Sequence, residues 1–265
     1  MNSALPAAAE PAALPPPPRA DTATLALFVD IDGTLLDIAA RPDAVIVEPA
    51  LRATLAALHE LLRGALAPLS GRSLRSVDAL LALPSVAAAG LHGAELRANG
   101  GDSLASQRLN PELDMARARA NETASTHPGV IVEDTGAAIA LHYRSAPTAE
   151  IAVRRAAIDM LDSAGSEYEL LQGNLVIELK PAHADKGSAL ATLMQSLPFV
   201  GRTPWMIGDD LTDEDAFAEA NALGGVSIIV GPRRPTLARY ALPDPGAARA
   251  WLADLLEPGE PTVFQ

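Results

Sequence analysis

Asp30 and Asp32 come directly after an apolar run, in the order Asp30-Ile31-Asp32-Gly33-Thr34. Two carboxylates at this spacing, with a glycine that permits a tight turn, can share a divalent cation and divide nucleophile and acid/base duties. A plain turn rich in Asp and Gly has the same composition. A calcium loop does not fit, because it needs glycine sixth and glutamate twelfth, whereas counting from Asp30 puts Gly33 fourth and Arg41 twelfth. Ser70-Gly71-Arg72 follows the next apolar run; its hydroxyl and backbone N–H groups can hold phosphate oxygens, or it is an ordinary turn. Lys186 stands just after Asp185, a residue suited to cap a helix. A lysine in a first helical turn opposes the positive end of the helix dipole, so stability does not ask for it there, and a solvated surface lysine is the alternative. The last group is Gly208-Asp209-Asp210-Leu211-Thr212-Asp213-Glu214. Asp213, Glu214 and Asp215 have a structural reason to be acidic as first-turn residues, with Thr212 and Asp215 at capping spacing. Asp209 and Asp210 precede the helix and fit a metal site better.

Three of these groups, at Asp30, Ser70 and Asp209, close short apolar runs, and the runs alternate with helical patterns, the signature of a parallel sheet with crossover helices. The pattern predicts strands over 24–29, 66–69, 86–89, 205–207 and 226–230, and helices over 49–63, from about 73, from 185 through 194, and over 213–221. Open sheets of this kind place ligands at the carboxyl ends of their strands, where the Asp30, Ser70 and Asp209 groups fall. The middle of the chain differs. A helix near 111–125, strands over 129–133 and 137–144 around a turn at 134–136, a helix over 148–164, and strands over 168–171 and 175–180 make a compact α+β unit. The expected organisation is therefore an α/β, Rossmann-like parallel-sheet core over 24–105 plus 181–265. An α+β cap of two hairpins interleaved with two helices is inserted over 106–180, behind a disordered Ala/Pro-rich tail over 1–23.

Composition narrows the functions. The chain has 265 residues, 49 % of them hydrophobic and 20 % charged, which suits a folded protein. Its 20 Lys+Arg against 33 Asp+Glu give a formal charge of −13, and no block of basic residues offers a surface to nucleic acid or to an anionic membrane. No apolar stretch is long enough to span a bilayer, and the proline-rich beginning lacks the basic and continuous apolar regions of a signal peptide. The absence of cysteine removes disulfides, thiolate metal sites and thiol nucleophiles, and agrees with a cytoplasmic location. An anionic ligand would need a local positive site or a metal.

The order Asp-x-Asp-Gly-Thr, Ser-Gly-Arg, isolated Lys, Gly-Asp-Asp resembles the four motifs of the haloacid dehalogenase-like phosphatases. Within them, Gly90-Leu91-His92-Gly93-Ala94-Glu95, Leu141-His142-Tyr143-Arg144, Glu178-Leu179-Lys180-Pro181 and the string from Gly208 to Glu214 resemble the trehalose-6-phosphate phosphatases over about residues 24–255. The resemblance implies hydrolysis of a phosphomonoester through an aspartyl-phosphate, the last step of trehalose biosynthesis. Asp30 would be the nucleophile and Asp32 the acid and base. Mg²⁺ would be held by Asp30, the backbone carbonyl of Asp32, and Asp209, with Ser70 and Lys186 on the phosphate. It implies substrate contacts from Arg72, His92, Gly93, Glu95, Glu133, His142, Arg144, Glu178, Lys180, Asp210 and Asp213, since a disaccharide needs many donors and acceptors. Strand alternation puts His142 with Arg144 on one face and Glu178 with Lys180 on one face. The family often has Lys where this chain has Thr135, so a basic contact at that turn is missing. The expected partner is a small sugar phosphate, with functional coupling to a trehalose-6-phosphate synthase and a monomeric enzyme. Rival readings are a sucrose-phosphate or mannosylglycerate-type phosphatase, a phosphosugar mutase, and a sugar-phosphate sensor without catalysis.

Overall fold

The computed structural model describes residues 14–37, 47–100, 113–134, 136–173 and 175–257. Its central sheet is parallel: β1 (Leu25–Val29), β2 (Leu66–Pro68), β9 (Thr203–Gly208), β10 (Val226–Val230) and β11 (Tyr240–Leu242) run in the order β11-β10-β9-β1-β2. β1 is central, with Leu27 opposite Leu66 on one side and Trp205 on the other. All five of its residues are buried, as a strand covered on both faces must be. The covering helices are α1 (Pro49–Leu61), α2 (Leu74–Leu81), α5 (Lys186–Met194), α6 (Glu214–Ala222) and α7 (Pro245–Asp254). They bury stripes such as Leu51, Leu55 and Leu58 of α1 against the sheet.

The expected strand over 86–89 is a different object. β3 (Ala88–Gly90) pairs antiparallel with β4 (Glu95–Arg97), and touches the main sheet through one parallel bridge, Leu69 to Ala89. β4 and β11 have three residues each, too few for a period to show in sequence.

Between β4 and α5 the chain builds a second sheet with its own apolar cluster. β5 (Ile131–Asp134), β6 (Ile139–His142), β7 (Tyr168–Gly173) and β8 (Val176–Pro181) are antiparallel in the order β5-β6-β8-β7. α3 (Asp114–Thr126) and α4 (Glu150–Ala164) cover one face, where Ile139, Leu141, Ile177 and Leu179 meet Ala116, Ala120, Val153 and Met160. Thr135, at the turn between β5 and β6, lies outside the described residues.

The expectation of a disordered tail over 1–23 is corrected at its end. Residues 1–13 lie outside the described residues, but Leu14 and Ala20 pack against the main core, and the Pro15 carbonyl accepts a hydrogen bond from Ala241 N at 3.0 Å. Ala241 lies on β11, the edge strand of the main sheet, whose outer N–H groups have no strand beside them. A proline can satisfy one of them because it keeps its carbonyl while lacking an N–H. Deleting residues 2–22 should therefore lower the melting temperature by about 2–4 °C, as loss of about 1 kcal/mol does in a chain of this size. Differential scanning calorimetry checks this, and an unchanged melting temperature would free the segment from the core.

Candidate active site

Asp30 is the first residue beyond β1 and is tied to β9 by its N–H, which donates to Ile207 O at 2.8 Å. Lys186 opens α5. Asp185 caps that helix, its Oδ1 accepting from Ser188 N at 2.7 Å, and this cap directs the next side chain into the interior. The Lys186 ammonium, 2 % exposed, donates to Asp30 Oδ1 at 2.6 Å and to Asp213 Oδ1 at 2.7 Å. Asp213 is completely buried, and its Oδ2 accepts from Asp209 N at 2.8 Å and Asp210 N at 3.0 Å. Thr34 Oγ1 donates to Asp209 Oδ1 at 2.9 Å.

Oxygens of Asp30, Asp209 and Asp213 all lie within 4.8 Å of one another. Burial pushes Asp30 well above the usual carboxylate range, while Lys186 pulls the other way. Burial, and then the neighbouring Asp213, push Asp209 up to about 6, and burial raises Asp213 as well. Burial alone would lower the lysine, yet Asp213 and Asp30 hold it above its ordinary value. Three carboxylates thus share one ammonium. A set of hard oxygens short of positive charge suits Mg²⁺. The backbone makes room for the cluster: Gly33 has φ +89°, and a Cβ there would lie 2.2 Å from Asp209 Oδ2.

Against this floor stands the face of the second sheet that α3 and α4 leave uncovered. The cleft between them is lined by Asp30, Asp32, Arg72, His92, Lys186 and Asp210 from the core side, and by Glu133, His142 and Glu178 from the sheet. Ala138, Ala140, Val176, Leu91, Gly71 and Thr212 complete the lining; of these the sequence pointed only to the turn at Gly71 as a ligand site, the others having little chemistry of their own to signal a role. Asp32 faces Arg72, whose Nε and Nη2 donate to its two carboxylate oxygens at 2.5 and 2.6 Å. Glu133 Oε2 accepts from His142 Nε2 at 2.9 Å when that nitrogen carries the proton.

Several residues expected at the substrate stand outside the cleft lining. Asp213 does not line the cleft but is the buried partner of Lys186; the turn it belongs to is opened by Asp210, whose Oδ1 accepts from Thr212 N at 2.8 Å. Glu95 is buried and accepts from Leu74 N at 2.5 Å, serving the start of α2. Lys180 shares the face of Glu178 but lies beyond the cleft, donating to Ala184 O at 2.6 Å and paired with Glu169 at 2.6 Å. Arg144 is exposed beyond the end of β6, outside the cleft lining. Gly93 is structural, since with φ +109° its Cβ would meet Asp185 O at 2.4 Å. Ser70 is buried, and its Oγ accepts from Arg72 N at 3.1 Å.

The sequence profile of the trehalose-phosphatases matches residues 28–246, which takes in the floor, the second sheet and the cleft between them. This chain belongs to the trehalose-phosphatase family. It is 42 % identical over 233 residues to a probable trehalose-phosphate phosphatase of Sinorhizobium fredii (strain NBRC 101917 / NGR234), covering 87 % of each chain. It is 40 % identical over 210 residues to the trehalose-6-phosphate phosphatase of Escherichia coli (strain K12), covering 79 % of each. A solved structure titled trehalose-6-phosphate phosphatase related protein superimposes with a TM-score of 0.71 at 26 % identity, over 88 % of this chain and 96 % of that one. The fold is the one expected of a haloacid dehalogenase-like phosphatase. Among the described residues no helix is long and apolar enough to cross a membrane.

In this member of the trehalose-phosphatase family, burial along the cleft moves two ionisable groups. Burial, and then the Lys186 charge, push His92 down to about 4, while burial and the nearby Glu133 push Glu178 up to about 7. His92 Nε2 stands 4.0 Å from Glu178 Oε2, but with the imidazole uncharged at neutral pH this approach is not an ion pair. His92 Nδ1 is buried without a hydrogen-bond partner among the described residues. The hydrogen bond from His142 draws Glu133 downward instead, so the two cleft glutamates differ in charge near neutrality.

A carboxyl raised by folding binds its proton more tightly in the fold than in the unfolded chain, so stability falls as pH rises between the two values. For Glu178 that window runs from the ordinary 4.5 to about 7. Glu178→Gln should therefore be more stable than the parent at pH 8 and nearly equal to it at pH 4, by urea denaturation at both pH values. A constant difference across pH would show that Glu178 ionises as freely in the fold as out of it.

Proposed function

We propose that this chain hydrolyses trehalose 6-phosphate to trehalose and phosphate through an aspartyl-phosphate on Asp30, with Mg²⁺ as cofactor. The observation that carries the reading is a buried nucleophile with its own ammonium, Asp30 and Lys186, at the bottom of a cleft whose other wall holds Glu133, His142 and Glu178. Relatives named for trehalose-phosphate phosphatase activity supply the substrate. The core comprises 24–105 and 181–265, and the unit over 106–180 is the cap that selects the sugar.

In the first step an Asp30 carboxylate oxygen attacks phosphorus. The bond between phosphorus and the sugar oxygen breaks, and Asp32 gives that oxygen a proton. In the second step Asp32 takes a proton from water, the water oxygen attacks the phosphorylated Asp30, and the bond from phosphorus to Asp30 breaks to release phosphate. Mg²⁺, which Asp30, Asp209 and the Asp32 carbonyl would hold, would neutralise charge on the phosphate, with Asp213 fixing Lys186 beside them. Lys186 keeps the nucleophile aimed and offsets its charge. Arg72 now holds Asp32, and a dianion in the cleft offers its guanidinium a second bidentate acceptor, so substrate binding frees Asp32 to carry the proton. Ser70, held against the Arg72 backbone, supports this turn and reaches a phosphate oxygen. The phosphorylated disaccharide would come from a trehalose-6-phosphate synthase in the same cytoplasm, and the enzyme acts as a monomer.

The test measures phosphate released from trehalose 6-phosphate, sucrose 6-phosphate and glucose 6-phosphate, with a chelator and after adding Mg²⁺. Trehalose 6-phosphate should be cleaved best, and only with the metal. Asp30→Asn, a near-isosteric change, should retain less than about a thousandth of the parental kcat with an unchanged circular dichroism spectrum. Preference for another ester would move the substrate assignment, and an active Asp30→Asn would remove the covalent mechanism.

A further inference from the structure

β6 presents two different surfaces. Ile139 and Leu141 point into the apolar cluster under α3 and α4, whereas Ala140 and His142, with Ala138 just before the strand, line the cleft. β6 is an inner strand of its sheet, where β-branched and aromatic residues are favoured and alanine is not. A small side chain at Ala140, beside the longer His142, leaves space above it on the cleft side.

The strand register identifies that space. Ala140 is directly opposite Glu133 of β5 on one side and Glu178 of β8 on the other, so the three side chains form one row across the sheet. Neighbouring strands are spaced at about 4.8 Å, which separates the two glutamate-bearing backbones by roughly 10 Å. Between two long acceptors lies a single methyl group. Val176, two residues before Glu178 on the same strand face, continues the apolar floor. The notch therefore has an apolar base and hydrogen-bonding walls. A hexopyranose ring has the complementary form, with C–H groups on its faces and hydroxyls around its rim.

We propose that Ala140 is a specificity-determining residue whose small side chain makes the room between Glu133 and Glu178 in which a sugar ring sits. The ring's C–H face rests on the Ala140 methyl, and its rim hydroxyls meet the two glutamates. This rests on the reading of the cleft as a phosphosugar site, and adds what sets the size of the sugar it takes.

The experiment is a size series at one position: Ala140→Ser, Ala140→Val and Ala140→Leu. Valine suits a strand, so Ala140→Val should keep the parental circular dichroism spectrum and melt cooperatively, which separates loss of space from loss of fold. kcat/KM is measured for trehalose 6-phosphate and for p-nitrophenyl phosphate, whose small ring does not need the notch, and trehalose is tested as a competitive inhibitor of the aryl ester. Against the disaccharide ester, Val should lose roughly tenfold and Leu about 100-fold, mainly in KM, with Ser close to the parent. Trehalose inhibition should weaken in step, and the aryl ester should change by no more than about twofold. Equal losses on both esters in a folded Val variant would assign Ala140 to cap packing or closure and overturn the proposal, as would a series without effect on either. If the parent prefers another phosphosugar, the substrate reading fails separately. The same series on that ester then decides: a size-graded loss supports Ala140, a flat response overturns it, and a parent that cleaves no sugar phosphate ends both.

Discussion

The ammonium of Lys186 between Asp30 and Asp213 is the contact on which the site depends. It joins three segments far apart in the chain: the end of β1, the turn after β9, and the first residue of α5. Removing one member of a buried charge group leaves the others unpaired, which typically costs 3–5 kcal/mol, so each holds the other two in place. The contact also sets the electrostatics. Asp209 lies beside the triad and is itself raised by burial and by Asp213, so the negative charge exceeds what one ammonium can balance. The remaining deficit is what a divalent cation and a guanidinium can meet. This is how a chain of charge −13 can hold a dianion: the sign of the whole surface matters less than the balance within a few ångströms of Asp30.

Much of this is legible in the sequence because the catalytic groups stand at strand ends. A buried strand is a short apolar run, and its end is marked where polar residues begin, so the residue pattern alone puts Asp30, Ser70 and Asp209 at one edge of a sheet. Lys186 stands out because helix electrostatics give it no reason to be there. Asp213 does not, since an acid in a first helical turn already has a sufficient local explanation, and nothing local reveals that Lys186 approaches from another segment. Glu95 and Lys180, expected at the sugar, stand off the cleft lining; for Lys180 the reason is related. Alternation along a strand says which side chains share a face, but not how far the opposing surface extends, and Lys180 lies past the end of the cleft while Glu178 lies within it. Ala140 is silent because an alanine carries no chemistry; its meaning comes only from the two residues that strand pairing places beside it. The segment 14–23 misleads because its composition reads as polyproline, while what holds it is one carbonyl on an edge strand and the packing of Leu14 and Ala20 against the main core.

The second sheet shows how one period can serve two purposes. Ile139, Leu141, Ile177 and Leu179 supply the unit's own apolar cluster, and the alternate positions are then released from packing. Those positions can be chosen for a ligand without unfolding the unit, provided that the helices bury enough on the other side. Val153, Ala156, Ala157 and Met160 of α4 do this, each no more than 1 % exposed.

The distribution of charge along the cleft gives an incoming phosphosugar a direction. Lys186 and Arg72 line the cleft from the core side, beside Asp30 and Asp32, while Glu133 and Glu178 line it from the second sheet. Carboxylates repel a phosphate and accept from hydroxyls, so the core side takes a dianion once a divalent cation offsets its carboxylates, with the ammonium and guanidinium adding to the attraction. A substrate entering backwards would set its dianion against the glutamates, away from those positive charges, and leave Lys186 facing neutral hydroxyls. The elevation of Glu178 to about 7 refines this, because near neutrality that residue can carry a proton and donate to one sugar oxygen while Glu133, drawn down by His142, accepts from another. A pair of glutamates in different protonation states can therefore match a ring that offers hydroxyls as both donors and acceptors. Two permanently charged carboxylates could only accept. Burial of Glu178, more than the presence of a second carboxylate, is what lets this wall of the cleft both donate and accept.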